Sequence, residues 1–427
     1  MHAGTFVLLL LAVAGGGCSA VDVARRRVAA VRPSVDLGGV RIVDWTGPEV
    51  VRAETAGLEA QEALSFPFVR AVFRAHWSTL VRLGCVPADA DDEFVDRFVG
   101  DEPSWAAAFV VPPKDAILVR PEWRNDARLL AHEFGHIASW RAGHWAAGRD
   151  RITLDADAPL DPGRVDLDAL IACWALEEGT AEATARAAFD PDEEADREAR
   201  AVRAERVAAE PAMYPPLVIV GPSFATIGDR VFDVPAGEVR VVDARLPDRL
   251  RDLAYGGGLR YVDACRSADG SLDDDIRVLW DGFAATTRAV LALTPAIDRP
   301  LAEWLRRGAP GIEPPPTRTT SAGSLLLLHG LASARPVGEF EDLLALAVRL
   351  GDDAVLTFGD DAMLWVTRWD DVETAARFAI LAETVYGARI TIDRRAVALV
   401  WGDVPAVAVS TALERAAQDP GTAENER

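Results

Sequence analysis

The sequence predicts an α+β protein: a mostly helical domain with a short mixed sheet, then a small C-terminal β-α-β-β domain. Three observations lead there. Apolar residues recur at helical spacing through most of 60–307, interrupted by short β-rich runs at 105–120 and 211–245. Residues 308–323, with Pro314-Pro315-Pro316, read as a linker. Beyond it, period-2 and period-3.6 segments alternate at short intervals. A length of 427 residues suits two or three domains.

Taken in order, residues 5–14 form an apolar run too short to span a bilayer and suited to a signal peptide over 1–17. Gly15-Gly16-Gly17 then precede Cys18, in the manner of a bacterial lipoprotein signal, so Cys18 is the expected lipidation site. Residues 18–60, with Arg25-Arg26-Arg27, read as a tether. Leu64, Phe68, Val72, Phe73, Leu80 and Leu83 share a helical face. Residues 105–120 read as two strands around Pro112-Pro113-Lys114-Asp115. Asn125 or Asp126 caps a helix running to about 141, with Gly143 as its stop. An aspartate-rich stretch at 150–168 reads as a surface loop. A helix over 166–189 and a charged one over 191–209 follow, then β-rich runs at 211–245 and helices at 246–266 and 274–307. The C-terminal domain, 324–417, holds a helix near 338–350, a strand at 363–369, a helix at 372–386, strands at 389–393 and 396–401, and a last helix to 417. Trp365, Trp369 and Trp401 are its expected core, and the polar tail from Gln418 reads as disordered.

The formal net charge of −22 repels phosphate backbones and anionic lipid, which argues against nucleic-acid binding and against membrane docking by a basic patch. Membrane association is expected only through an N-terminal lipid anchor. Beyond Cys18 the cysteines are Cys85, Cys173 and Cys265, widely spaced, with no Cys-x-x-Cys. They read as buried free thiols and exclude a cysteine-based zinc site.

Chemistry concentrates in His132-Glu133-Phe134-Gly135-His136. On a helix, positions i and i+4 share one face, so both imidazoles can converge on one ion, and Glu133 projects at its side as a candidate general base. Catalytic zinc takes three protein ligands. Three residues compete for the third place. His144 comes two residues too late for an extended histidine motif and is expected on the surface. Glu178 sits in Glu177-Glu178-Gly179-Thr180-Ala181-Glu182 on a core-directed helix, with Glu177 as a solvated neighbour. Glu182 shares the face of Glu178 and suits either ligation or a hydrogen bond to the back of a ligating imidazole.

The pairing of Leu130-Ala131-His132-Glu133-Phe134-Gly135-His136 with Ala175-Leu176-Glu177-Glu178-Gly179-Thr180-Ala181 resembles gluzincin-type zinc metalloproteases, over roughly 105–190. The segment Trp365-Val366-Thr367-Arg368-Trp369-Asp370 adds a looser similarity to bacterial zincin-like lipoproteins. The resemblance implies a zincin-like domain over 61–307 that binds Zn2+ through His132, His136 and Glu178. It also implies an exported, lipid-anchored metallopeptidase that hydrolyses peptide or protein substrates with water activated by Glu133. Proteolytic zincins use a Tyr or His donor for the developing oxyanion; Tyr255 and Tyr261, flanking Gly256-Gly257-Gly258, are the candidates. The strand at 116–120 is expected to align an extended substrate by edge pairing. A histidine found in such relatives has no counterpart in Thr286-Thr287-Arg288-Ala289-Val290-Leu291-Ala292. The competing reading is therefore a non-catalytic zincin-fold lipoprotein acting as a binding or scaffold module at the cell envelope.

Overall fold

The computed structural model describes residues 19–56, 66–87, 106–154 and, with short gaps, 161–418. The expected leader, Cys18 and the tail from residue 419 lie outside the described residues. The protein is α+β.

The expected tether folds. Ser19 caps helix α1, Ala20–Val31, whose Ala24 and Val28 are fully buried. Arg25 and Arg27 lie over the Phe134 and Phe189 rings, and Arg32 pairs with Asp273. Two of the three arginines that suggested a tether thus lie over aromatic faces, and Arg32 pairs with a half-buried acid. Strand β1, Arg41–Asp44, lies parallel to β3, Ala116–Val119, and β2, Ala108–Val111, lies antiparallel on the other side. The order β1-β3-β2 makes β3 the central strand, so it has no open edge for a substrate. Among the described residues, the unpaired sheet edge beside the helix that carries His132 and His136 belongs to β2.

That helix is α2, Ala127–Arg141. Its Asp126 cap accepts from the Arg128 and Leu129 amides, and Gly143, at φ 82°, turns the chain into α3, His144–Ile152. Helix α4, Leu167–Phe189, starts from the Asp166 cap and is buried on nearly every turn. A helix apolar all round belongs inside a protein, and its alanines let neighbours approach closely. At Gly135 on α2 an added Cβ would sit 2.9 Å from the Ala181 Cα, and at Gly179 on α4 it would sit 2.3 Å from the Gly258 carbonyl carbon. Two helices therefore close on α4 through glycine contacts: α2, and α5, Gly258–Cys265. The expected continuous helix at 246–266 is interrupted by a π-helical turn, Asp252–Gly257, just before α5. Likewise 274–307 holds three helices, 272–282, 287–292 and 300–306.

Residues 217–242 form two two-stranded sheets, in which β4, Leu217–Val220, pairs with β7, Val239–Val242, and β5, Ser223–Ile227, pairs with β6, Arg230–Val234. The C-terminal sheet is fully antiparallel and larger than expected. It is ordered β11-β12-β10-β9-β8, with β8 Arg318–Thr320, β9 Leu350–Phe358, β10 Ala362–Trp369, β11 Arg389–Asp393 and β12 Ala396–Trp401. Strand β8 lies within the supposed linker, where Ala309, Ile312, Ser321 and Ala322 are also buried. The linker reading is corrected accordingly. One core runs through the boundary, joining Ile171, Leu176 and Tyr261 to helix α6, Gly323–Ser333, and to Trp365, Trp369 and Phe378. Phe378 belongs to α7, Val372–Tyr386. The opposite sheet face packs on Leu301, Trp304, Leu305 and the last helix, α8, Ala406–Ala417. Trp401 is only partly buried at the rim. Cys85 and Cys173 are buried free thiols and Cys265 is half-buried.

Candidate metal centre

Helix α2 presents His132 and His136 one turn apart, and α4 presents Glu178 across the Gly135–Ala181 contact. The two Nε2 atoms lie 3.1 Å apart. The Oε2 of Glu178 is 3.2 Å from His132 Nε2 and 3.4 Å from His136 Nε2. Ligands bound to zinc at about 2.0–2.1 Å in tetrahedral directions are about 3.3–3.4 Å from one another, so the donor set fits such an ion in type and spacing. Two imidazole nitrogens at 3.1 Å can share one proton between them or turn both lone pairs onto one metal ion. Among the described residues this is the group of His, Cys, Asp and Glu that could hold a metal ion.

Each imidazole is held from behind. Glu182 Oε2 lies 3.4 Å from His132 Nδ1, in the place expected for it, while Oε1 of the same carboxylate pairs with Arg128. Glu177 Oε1 lies 2.9 Å from His136 Nδ1 and accepts from the Trp145 indole at 2.9 Å. Glu177 is therefore no solvated neighbour but a buried partner of a ligand. The competitor His144 is buried too, stacked on Trp280 at 5.5 Å, and takes no part. Its expected surface position fails because Gly143 turns α3 back against the core.

Burial opposes charge on both imidazoles, yet the surrounding carboxylates prevail. Glu178 and Glu182 hold His132 at about 9, and Glu178 and Glu177 hold His136 well above the ordinary value. The histidines in turn pull Glu178 well below the usual carboxylate range against its burial. Glu133 behaves oppositely. Burial, with Glu178 nearby, raises its pKa although both histidines lower it. That is the direction a general base needs.

Of the two tyrosines, the structure brings only Tyr255 to the site. It rides on the π-helical turn, stacks at 6.0 Å from His132, and remains partly exposed. Burial, Glu178 and Glu133 raise its pKa. A π turn adds a residue to the helical register, which rotates Tyr255 towards α2 and is a common device at functional sites. Tyr261 is excluded as a donor, because it is fully buried in the main core against Phe283. Two further groups escaped the sequence reading: the Trp145 indole on Glu177, and the Trp174 indole donating to Glu178 Oε1 at 3.1 Å. The spacing of Trp174 and Glu178, i and i+4 on one helix, was the available signal.

No protein-family model matches the chain, and no curated protein or solved structure matches it either.

Proposed function

We propose that the protein is a zinc-dependent metallopeptidase, exported and anchored through Cys18. The observation that carries this reading is the meeting of His132 Nε2, His136 Nε2 and Glu178 Oε2 around one point, with the buried Glu133 carboxylate beside it. A zinc ion held there would polarise a substrate carbonyl and make a water molecule acidic at neutral pH. Glu133 takes that water's proton and hands it to the leaving amine; its raised pKa serves both transfers. Tyr255, exposed beside His132, would donate to the developing oxyanion. The open edge of β2 offers backbone groups for an extended peptide, replacing the central strand first expected in that role.

The second reading is a metal-binding module without turnover. It is favoured by restricted access: His132, Glu133, His136 and Glu178 are only 8%, 5%, 6% and 9% exposed. The Glu133→Gln variant separates the two. A peptidase loses roughly 100- to 10,000-fold of its peptide hydrolysis while keeping its metal content. Unchanged hydrolysis, or wild-type protein that takes up no zinc, overturns the peptidase reading.

A further inference from the structure

Consecutive residues on a helix point about 100° apart, so Glu177 and Glu178 reach His136 at different atoms, Nδ1 and Nε2 respectively. Both are nevertheless buried, and each carboxylate receives an indole N–H. Trp174, one turn earlier on α4, donates to Glu178 Oε1 at 3.1 Å, while Oε2 of the same carboxylate faces both imidazoles. Trp145, in the first turn of α3, donates to Glu177 Oε1 at 2.9 Å, the oxygen that also meets His136 Nδ1. Trp140 braces Trp145 with an edge-on contact at 5.9 Å. An indole N–H suits this task, because it donates one hydrogen bond, accepts none and does not ligate metal.

We propose that Trp174 and Trp145 are positioning residues that assign the paired glutamates to separate duties. Trp174 occupies Oε1 of Glu178, so this carboxylate ligates through Oε2 alone. Trp145 holds Glu177 on His136 Nδ1, so that Nε2 is the nitrogen left for the metal. The consequence is coordinative. A carboxylate binding through both oxygens would fill the position that a catalytic site must leave open for water or substrate. The histidine's second nitrogen, once fixed by a carboxylate, sets its tautomer and ring orientation. The inference rests on the metal reading above and adds the residues that control it.

The test uses the purified full chain with Co2+ or Zn2+ alone as probes. Trp174→Phe keeps the ring and removes the donor. Its Co2+ complex should absorb more weakly in the visible than the wild-type complex, as expected when coordination rises from four to five. Glu177→Ala should raise the Zn2+ Kd about 10- to 100-fold, Glu177→Gln should restore most of the affinity because an acceptor oxygen returns, and Trp145→Phe should fall between them. Wild-type Co2+ spectra and Zn2+ affinities in these variants overturn the proposal. A metal-independent readout guards against variants that fail to fold: in the wild-type chain, the Trp145 and Trp174 indole protons should exchange slowly with solvent. Rapid exchange of both overturns the clamps, whereas a wild-type chain with protected indoles and no affinity for Zn2+ overturns the metal reading instead.

Discussion

Helix α4 carries two buried acidic clusters, and their construction differs. Near its middle, Glu177, Glu178 and Glu182 face imidazoles and indoles. At its start, Asp166 and Asp168 gather with Asp352 and Asp353 of β9 around the Arg299 guanidinium. In this second cluster backbone amides consume the carboxylate oxygens. Asp166 accepts from Ala169, Asp168 from Thr287, Asp352 from Leu301 and Ala302, and Asp353 from Ala322 and Gly323. Most of these amides sit at helix starts, where donors lack intrahelical partners and the helix dipole favours negative charge. The aspartate cluster is thus a joint that fixes four helix beginnings against the C-terminal sheet. The glutamate cluster receives no backbone amide in these contacts; its oxygens meet imidazoles, which can hold either a proton or a metal ion, together with indole and guanidinium donors. A buried acid is structural when amides satisfy it and chemical when its oxygens converge on other titratable groups.

The largest expected effect breaks the joint. Arg299→Met leaves several buried carboxylates without their cation and should cost about 3–5 kcal/mol in denaturant unfolding, while the folded fraction keeps its Zn2+ affinity. His136→Ala should do the reverse, raising the Zn2+ Kd at least about 100-fold, since a ligand is lost where second-sphere partners alone are worth about 10- to 100-fold, with the far-UV circular dichroism unchanged. If Arg299→Met weakened metal binding as much as stability, the separation between the clusters would fail.

Gly179→Ala should cost about 1–3 kcal/mol or more, because its Cβ would meet the Gly258 backbone. Gly256→Ala, where nothing lies within 4 Å, should stay within about 0.5 kcal/mol. Melting temperatures of the pair would expose any error in the proposed close approach of α4 and α5.

The joint also titrates. Burial raises Asp352 to about 6 and, together with Asp168, raises Asp353 to about 7. Between the unfolded value near 4 and these values the folded chain holds more protons than the unfolded one. Stability contributed by the joint is therefore full below about pH 4 and declines as pH rises to about 7. Each unit of displacement is worth about 1.4 kcal/mol. Asp353→Asn should flatten unfolding free energy against pH in that window; an unchanged slope would assign the titration elsewhere.

Helix α2 was legible to within one residue of its cap, because Asn125-Asp126, the apolar face and Gly143 are all local signals. So were α4 and the run from β10 to β12, where periodicity and turn residues agree. Strand β9 was missed because Gly351-Asp352-Asp353 reads as a turn; those aspartates are tolerated in a buried strand only because distant helix starts supply amides. Asp166 and Asp168, expected in a solvated loop, are buried because Asp166 caps its own helix, the distant Thr287 amide satisfies Asp168, and Arg299 meets both. Arg25 and Arg27 suggested a tether because their aromatic partners, Phe134 and Phe189, lie more than a hundred residues away.

The sequence by itself determined the pair of imidazoles, since four residues on a helix return to the same face whatever surrounds it, and it offered Glu178, Glu182 and His144 for the third place. Only the tertiary structure brought Glu178 rather than Glu182 or His144 to the two Nε2 atoms, turned Glu177 inward onto His136, and set Tyr255 rather than Tyr261 beside His132. Those choices depend on which helix closes against which, and glycine-to-backbone contacts and a π turn set that closure at points where no periodicity records it.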